Sequence, residues 1–179
     1  MRIAAVPVAT GEDLSSEFEA LYREHYALIY RTAYSITGSR PDAEDVLQTI
    51  FLRLLRRALP PDLENNPQGY LYRAAVNLSL NILRARTRRT MTELVEDLPT
   101  PLPDASEPDD EMRRRLLQAI AGLRPRAVEI LILRYEHDRS DAEIAKMLGT
   151  SRGTIAVTLY RTRARLKKIL LRTASGGDR

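Results

Sequence analysis

The stretch SDAEIAKMLGTSRGTIAVTLYRTRARLKKIL, residues 140–170, decides the fold. Ser140 followed three residues later by Glu143 is a capping box, which starts a helix by satisfying two orphan N–H groups at once. Ile144 and Leu148 then fall on one face, Ala145 is small where a second helix must cross closely, and Gly149 supplies the turn. Thr150 or Ser151 caps the second helix, whose buried stripe is Ile155, Leu159 and Leu166. With Ile155 inward, a rotation of about 100° per residue turns Arg152, Ala156, Val157, Tyr160, Arg161, Ala164 and Lys168 outward. This predicts a helix-turn-helix with a recognition helix for the major groove. Arg152 and Arg161 suit guanine edges or phosphates, and Ala156 and Val157, apolar on a face turned to water, suit thymine methyl groups. Thr154 joins that face, while Arg163, Arg165 and Lys167 suit the DNA backbone. A basic, solvated terminal helix is the competing reading.

Upstream of this motif, helices are expected over about 111–122 and, with Pro125 in the first turn, over about 126–136. The aliphatic run Val128–Leu133 could pass for a buried strand, but helix-spaced neighbours on both sides argue for helix. Charge is unevenly spread: residues 1–89 carry a net +2, residues 90–112 a net −8 and residues 113–179 a net +10. The basic end points to a polyanionic partner. The acidic middle also collects Pro99, Pro101, Pro103 and Pro108, so residues 90–111 read as a linker that buries too little to offset chain entropy. The expected fold is all-α: two small helical domains, 16–89 and 112–172, joined by this linker, with flexible ends at 1–15 and 173–179.

Absences narrow the chemistry. The 179 residues contain no Cys and two His, His25 and His137. Disulfides, thiol nucleophiles and a dedicated His metal cage are therefore excluded, and neither metal nor cofactor is expected. The start, MRIAAVPVATGEDLSS, lacks a signal-peptide core, and later apolar runs are broken by charge, so a cytoplasmic protein without membrane insertion is expected. An enzyme would have to rest on Asp42, Glu44, Asp45 or His25, with no Gly-rich phosphate loop and no nucleophile pair to help.

In the N-terminal half, Phe18, Tyr22, Ile29, Ala33 and Ile36 make one apolar stripe of a helix ending near Gly38. The next helix begins around Ser39, Pro41 and Asp42 and runs to about Arg57, with Val46, Leu47, Ile50, Phe51, Leu54 and Leu55 inward. Its other face carries Asp42, Glu44, Asp45, Gln48, Arg53 and Arg56. These suit a partner protein, or equally a solvated helix whose end charges follow the macrodipole. After a connection over about 58–68 comes a helix over 69–89, in which Leu71, Ala75, Leu78 and Ile82 pack inward. A second row, Tyr70, Arg73, Asn77, Asn81, Arg84 and Arg88, joins a ring, two amides and guanidinium groups, a combination suited to unstacked bases and phosphates. Arg-rich helix ends also arise simply because cations suit a helix C-terminus.

Three segments in order, DAEDVLQTIFLRLLRR, GYLYRAAVNLSLNILRARTRR and AEIAKMLGTSRGTI with LYRTRARL, resemble a bacterial RNA polymerase sigma factor of the small, two-domain extracytoplasmic-function type. The likeness covers roughly 18–89 and 111–171. It implies that Asp42, Glu44, Asp45, Gln48, Arg53 and Arg56 dock on the β′ clamp helices of core RNA polymerase. It implies that the Tyr70–Arg88 row melts the upstream promoter element and holds its non-template strand, with Asn65 and Asn66 in the preceding specificity loop. The helix-turn-helix would read a distal promoter element while seated on the β flap, and the acidic linker would imitate RNA in the exit path. The resemblance also implies an anti-sigma factor as a further partner. The chain departs from the family pattern at Tyr70, where Trp is usual, at Asn81, where Asp is common, and at Ala156 and Val157, where polar residues are more frequent.

A 22-residue linker reaches at most ~75 Å, enough to join two DNA sites a couple of ~34 Å turns apart. Relaxed, it would average only ~25 Å, a length that lets the free domains fold back on each other, drawn by the basic and acidic segments, in which case the free protein is expected to be partly self-inhibited. A stand-alone helix-turn-helix regulator is the alternative function, but it leaves the Tyr70–Arg88 row unused.

Overall fold

The computed structural model describes residues 11–56, 60–96 and 108–175, all arranged as helices, turns and bends with no strand among them. The elements are α1 (Gly11–Thr37), α2 (Arg40–Arg56), α3 (Pro61–Asn65), α4 (Pro67–Glu96), α5 (Pro108–Ala121), α6 (Pro125–Tyr135), α7 (Asp141–Leu148) and α8 (Arg152–Ser175). Proline starts α3, α4, α5 and α6, where its missing N–H costs nothing and its fixed φ already suits a helix. None of the described helices is long and apolar enough to cross a membrane.

Several boundaries differ from the sequence reading. Helix α1 starts at Gly11, inside the stretch assigned as a flexible end, because nothing in GEDLSSE breaks a helix. The connection before α4 holds the short helix α3, which buries Leu63. Both margins of the proposed linker are helical: α4 runs on through residues 90–96 and α5 begins at Pro108. TMTELVE has no proline, and extending an existing helix adds a hydrogen bond per residue without a new nucleus. Its proline-rich centre, 97–107, lies outside the described residues. Helix α8 continues to Ser175, three residues into the stretch assigned as a flexible tail.

Two apolar clusters hold the molecule together. One joins α1, α2 and α4 through Ile29, Ala33, Val46, Leu47, Ile50, Phe51, Leu71 and Ala75. The other runs from Tyr72, Val76, Leu80 and Leu83 of α4 into Ile120, Leu123, Val128, Leu133, Ile144 and Ile155 of the C-terminal helices. Helix α4 is therefore buried along two stripes, and the second was missed because its members sit beside the Leu71 stripe rather than on it. The halves are folded back on each other as expected. Among the described residues the contact is an apolar core with directed hydrogen bonds and one ion pair, Arg31–Glu136.

Two imidazoles sit in this packing. Burial lowers the pKa of His25, a loss that nearby Glu24 partly offsets. Burial lowers that of His137 as well; Arg31 and Arg139 add to the effect, and Glu136 and Asp138 oppose it. His137 Nε2 is hydrogen-bonded to Thr32 Oγ1 at 2.8 Å, with the Tyr72 ring edge-on beside it. Both groups are more basic in the unfolded chain, so the unfolded state takes up protons first as pH falls below about 6.5. The folded state should be at full stability above that pH and lose stability below it. Urea midpoints measured from pH 7.5 to pH 5 should fall, and His137→Gln should flatten part of the slope.

Candidate nucleic-acid interface and docking face

The helix-turn-helix is built from local rules. The Ser140 hydroxyl accepts from the Glu143 N–H at 3.3 Å, while the Glu143 carboxylate accepts from the Ser140 N–H at 2.8 Å. The Ser140 hydroxyl and N–H, with Arg139, hold the Glu143 carboxyl down to about 2. Gly149 ends α7 at φ +64°, the left-handed region where a side chain is strained, and the Thr150 N–H returns to Ala145 O at 2.9 Å. Ser151 caps α8, accepting from the Thr154 N–H at 3.1 Å. Ser140→Ala should cost about 1 kcal/mol of stability, read by urea denaturation above pH 6.5.

Ile155, Leu159, Thr162 and Leu166 are buried, so Arg152, Thr154, Ala156, Val157, Tyr160 and Arg161 form an open row on α8. Val157 is 48% exposed and Tyr160 75%. Arg165 is also at the surface, but it donates to Gly122 O at 3.0 Å at the end of α5, so it is partly spent inside the domain. Arg163 lies over the Tyr135 ring, 5.4 Å from its centroid.

The α4 row divides. Asn77 and Asn81 are exposed, Arg73 is half-buried, and Tyr70 packs with Ala74, Leu78 and Ile82 against the core of α1, α2 and α4. Arg88 is exposed at the far end of the row. Arg84 is turned away from the row: its Nε donates to Ala121 O at 3.0 Å and its Nη2 to Leu123 O at 2.8 Å. Asn66 is likewise engaged, accepting from the Gly69 N–H at 2.8 Å and donating to Met147 O at 3.0 Å. Asn65 is exposed and donates to Pro61 O. The second apolar stripe of α4 explains the loss, because it draws the C-terminal helices onto the side where Arg84 emerges.

On α2, Glu44, Asp45, Gln48, Arg53 and Arg56 are exposed, whereas Asp42 pairs with Arg86, whose other nitrogen donates to Thr37 O. Leu55, expected inward, is 61% exposed, and Leu52 is 47% exposed. Leu52 lies four residues along from Gln48 and seven from Asp45, and Leu55 seven from Gln48, so they share that face by helical spacing.

The Sigma-70 region 2 model matches residues 21–89, and the Sigma-70 region 4 model matches residues 113–166. The ECF RNA polymerase sigma factor SigE of Mycolicibacterium smegmatis is 31% identical over 177 residues, spanning 96% of this chain and 68% of that protein. This chain belongs to the sigma-70 family, in its extracytoplasmic-function branch. The RNA polymerase sigma-E factor of Streptomyces coelicolor is 31% identical over 156 residues, 87% of this chain and 86% of that protein. That of Streptomyces antibioticus is 33% identical over 168 residues, 91% and 88% respectively. A sigma factor with 19% identity, RpoE from Bartonella quintana, solved with the anti-sigma factor NepR, covers 94% of this chain and 99% of its own at a TM-score of 0.46.

As a sigma factor, this protein binds core RNA polymerase and directs it to promoters. The region 2 match holds both the α2 face and the α4 row, and the region 4 match holds the helix-turn-helix. Two further features of the sigma factor escaped the sequence reading. Tyr22, Tyr26, Tyr30 and Tyr34 form a ladder on α1 with successive centroids 5.5, 5.9 and 6.4 Å apart, a four-residue repeat visible in the sequence. A groove of about 600 Å³ between α5, α6 and α8 is lined by Leu116, Ile120, Leu131, Tyr135, Leu170 and Leu171, with Arg163 and Lys167 beside them. It had no sequence signal, because three helices separated in the chain contribute to it.

Proposed function

We propose a division of labour among these faces. The α2 face, with Glu44, Asp45, Gln48, Leu52 and Leu55, docks on the β′ clamp helices. Tyr70, Arg73, Asn77 and Asn81, joined by Asn66 and Arg84 once these are released, hold the non-template strand of the upstream element, since amides read base edges and a ring stacks. The α8 row reads the distal element as duplex in the major groove, and the apolar groove beside it takes an apolar segment of the β flap. The acidic segment 90–111 carries the charge that imitates RNA in the exit path. The protein works in the cytoplasm, performs no catalysis itself and is open to restraint by an anti-sigma factor.

The observation that carries this reading is the open α8 row on a correctly capped helix-turn-helix, in one chain with the exposed Asn77 and Asn81. Opening DNA costs about 1.4 kcal/mol of stacking per step, so melting should depend on the polymerase. Run-off transcription from the protein's own upstream region, with purified core polymerase, tests it. Transcripts should appear only when both are present; a palindromic footprint by the protein alone, with no transcript, would support a stand-alone regulator. Arg161→Ala should weaken binding to distal-element duplex by roughly tenfold and lower the salt dependence, read by fluorescence anisotropy at several salt concentrations.

A further inference from the structure

One side chain of α4 joins the end of α1 to the start of α2. Arg86 donates from Nη1 to Thr37 O at 3.1 Å and pairs through Nη2 with the Asp42 carboxylate. Thr37 O is among the last carbonyls of α1, which have no partner within their own helix, and Asp42 lies in the first turn of α2. A planar guanidinium presents its donors in a fixed fork, so one group can hold both acceptors.

The corner between the two helices is otherwise closed by local bonds. Gly38 turns the chain at φ +67°, and its N–H returns to Tyr34 O at 2.8 Å. The buried Thr37 hydroxyl donates to Ala33 O at 2.8 Å and accepts from the Ser39 N–H at 3.3 Å. With the Ser39 N–H already engaged, the Asp42 carboxylate does not close a capping box onto it and is held by Arg86 instead. Its side chain is 23% exposed, whereas Glu44 and Asp45, next along α2, are open. All of these residues fall within the region 2 match, so the tie does not depend on the C-terminal helices.

We infer that Arg86 is a positioning residue for polymerase docking: it fixes the start of α2 so that Glu44, Asp45 and Gln48 are presented in one direction, and Asp42 serves docking through Arg86 rather than by touching the polymerase. The inference rests on the reading of α2 as the docking face. Val46, Leu47 and Ile50 decide which side of α2 turns inward, but apolar burial is non-directional and leaves the first turn some freedom to rock. Two directed bonds remove that freedom. A helix start that has to be ordered on binding lowers affinity, while a partly exposed ion pair adds little to overall stability. Loss of Arg86 should therefore appear in polymerase affinity and barely in the unfolding of the free protein.

A double-mutant cycle tests this. Arg86→Gln, Asp42→Asn and the double variant are compared in competition with labelled wild-type protein for purified core polymerase, and each is also followed by urea denaturation and by binding to distal-element duplex. Each single change should weaken polymerase binding by roughly fivefold, and the double variant should be no weaker than either. Urea midpoints and duplex binding should stay near wild type, and Arg86→Lys, which keeps the charge without the fork, should recover part of the affinity. Additive losses in the double variant would mean that Asp42 meets the polymerase itself and would overturn the inference. Wild-type affinity of Arg86→Gln would overturn it too, as would a fall in urea midpoint and duplex binding alongside the loss, which would make Arg86 a general structural residue. Asp45→Arg and Leu55→Asp are measured in the same assay. If neither weakens binding, the docking face fails and the inference with it; if they do and Arg86→Gln does not, the inference alone fails.

Discussion

Leu55→Asp is expected to weaken binding to core RNA polymerase by at least tenfold while leaving stability within about 0.5 kcal/mol, as for an ordinary surface change. Leu55 and Leu52 are exposed in the free protein, so a charge there creates no cavity and breaks no hydrogen bond. Docking would bury them, and a carboxylate in a dry contact loses hydration with no partner to replace it. The neighbouring charges act differently. Asp45→Arg should slow association and lose much of its effect at high salt, because exposed charges steer encounter and are screened over ~10 Å or less. Competition binding to core polymerase at low and high salt, with thermal melts of the free variants, separates the two. Unchanged affinity of Leu55→Asp would remove the apolar pair from the docking face.

Tyr72→Ala should cost about 3–5 kcal/mol, the range for emptying a large aromatic site in a packed core. Tyr72→Phe should cost about 1 kcal/mol, since only the hydrogen bond to Glu129 O is lost. Burial, with the Glu129 charge, raises the Tyr72 phenol well above its usual pKa despite a hydrogen bond involving the Leu133 backbone, so it remains a donor at any working pH. Urea denaturation of both variants checks the pair. An Ala variant no weaker than the Phe variant would mean that Tyr72 is already in water and the two halves are apart. Because Tyr72 touches no proposed docking residue, Tyr72→Phe should bind core polymerase normally.

Much of the architecture was legible because it is local. Ser140, Glu143 and Gly149 act within a few residues of themselves, and α7, the turn and α8 follow. The stripes Leu71–Ala75 and Ile155–Leu159 were readable from spacing, as was the open row from Arg152 to Arg161. Leu55 was misread because apolar character shows that a residue gains from burial, not whether its own chain or a partner supplies the cover. Arg84 was misread for a related reason: on the helix wheel it lies with Tyr70, Asn77 and Asn81, but a long guanidinium goes to whichever acceptors are brought near, here two carbonyls nearly forty residues away.

By itself the sequence determined the helices, the helix-turn-helix and the faces that suit polymerase and DNA, since caps and three- or four-residue spacings act within single helices. Only the tertiary structure decided that α4 is buried along two stripes, that Asn66 and Arg84 are occupied, and that one core runs through both halves. Those outcomes depend on which distant surfaces meet, and an apolar stripe favours burial without naming its neighbour.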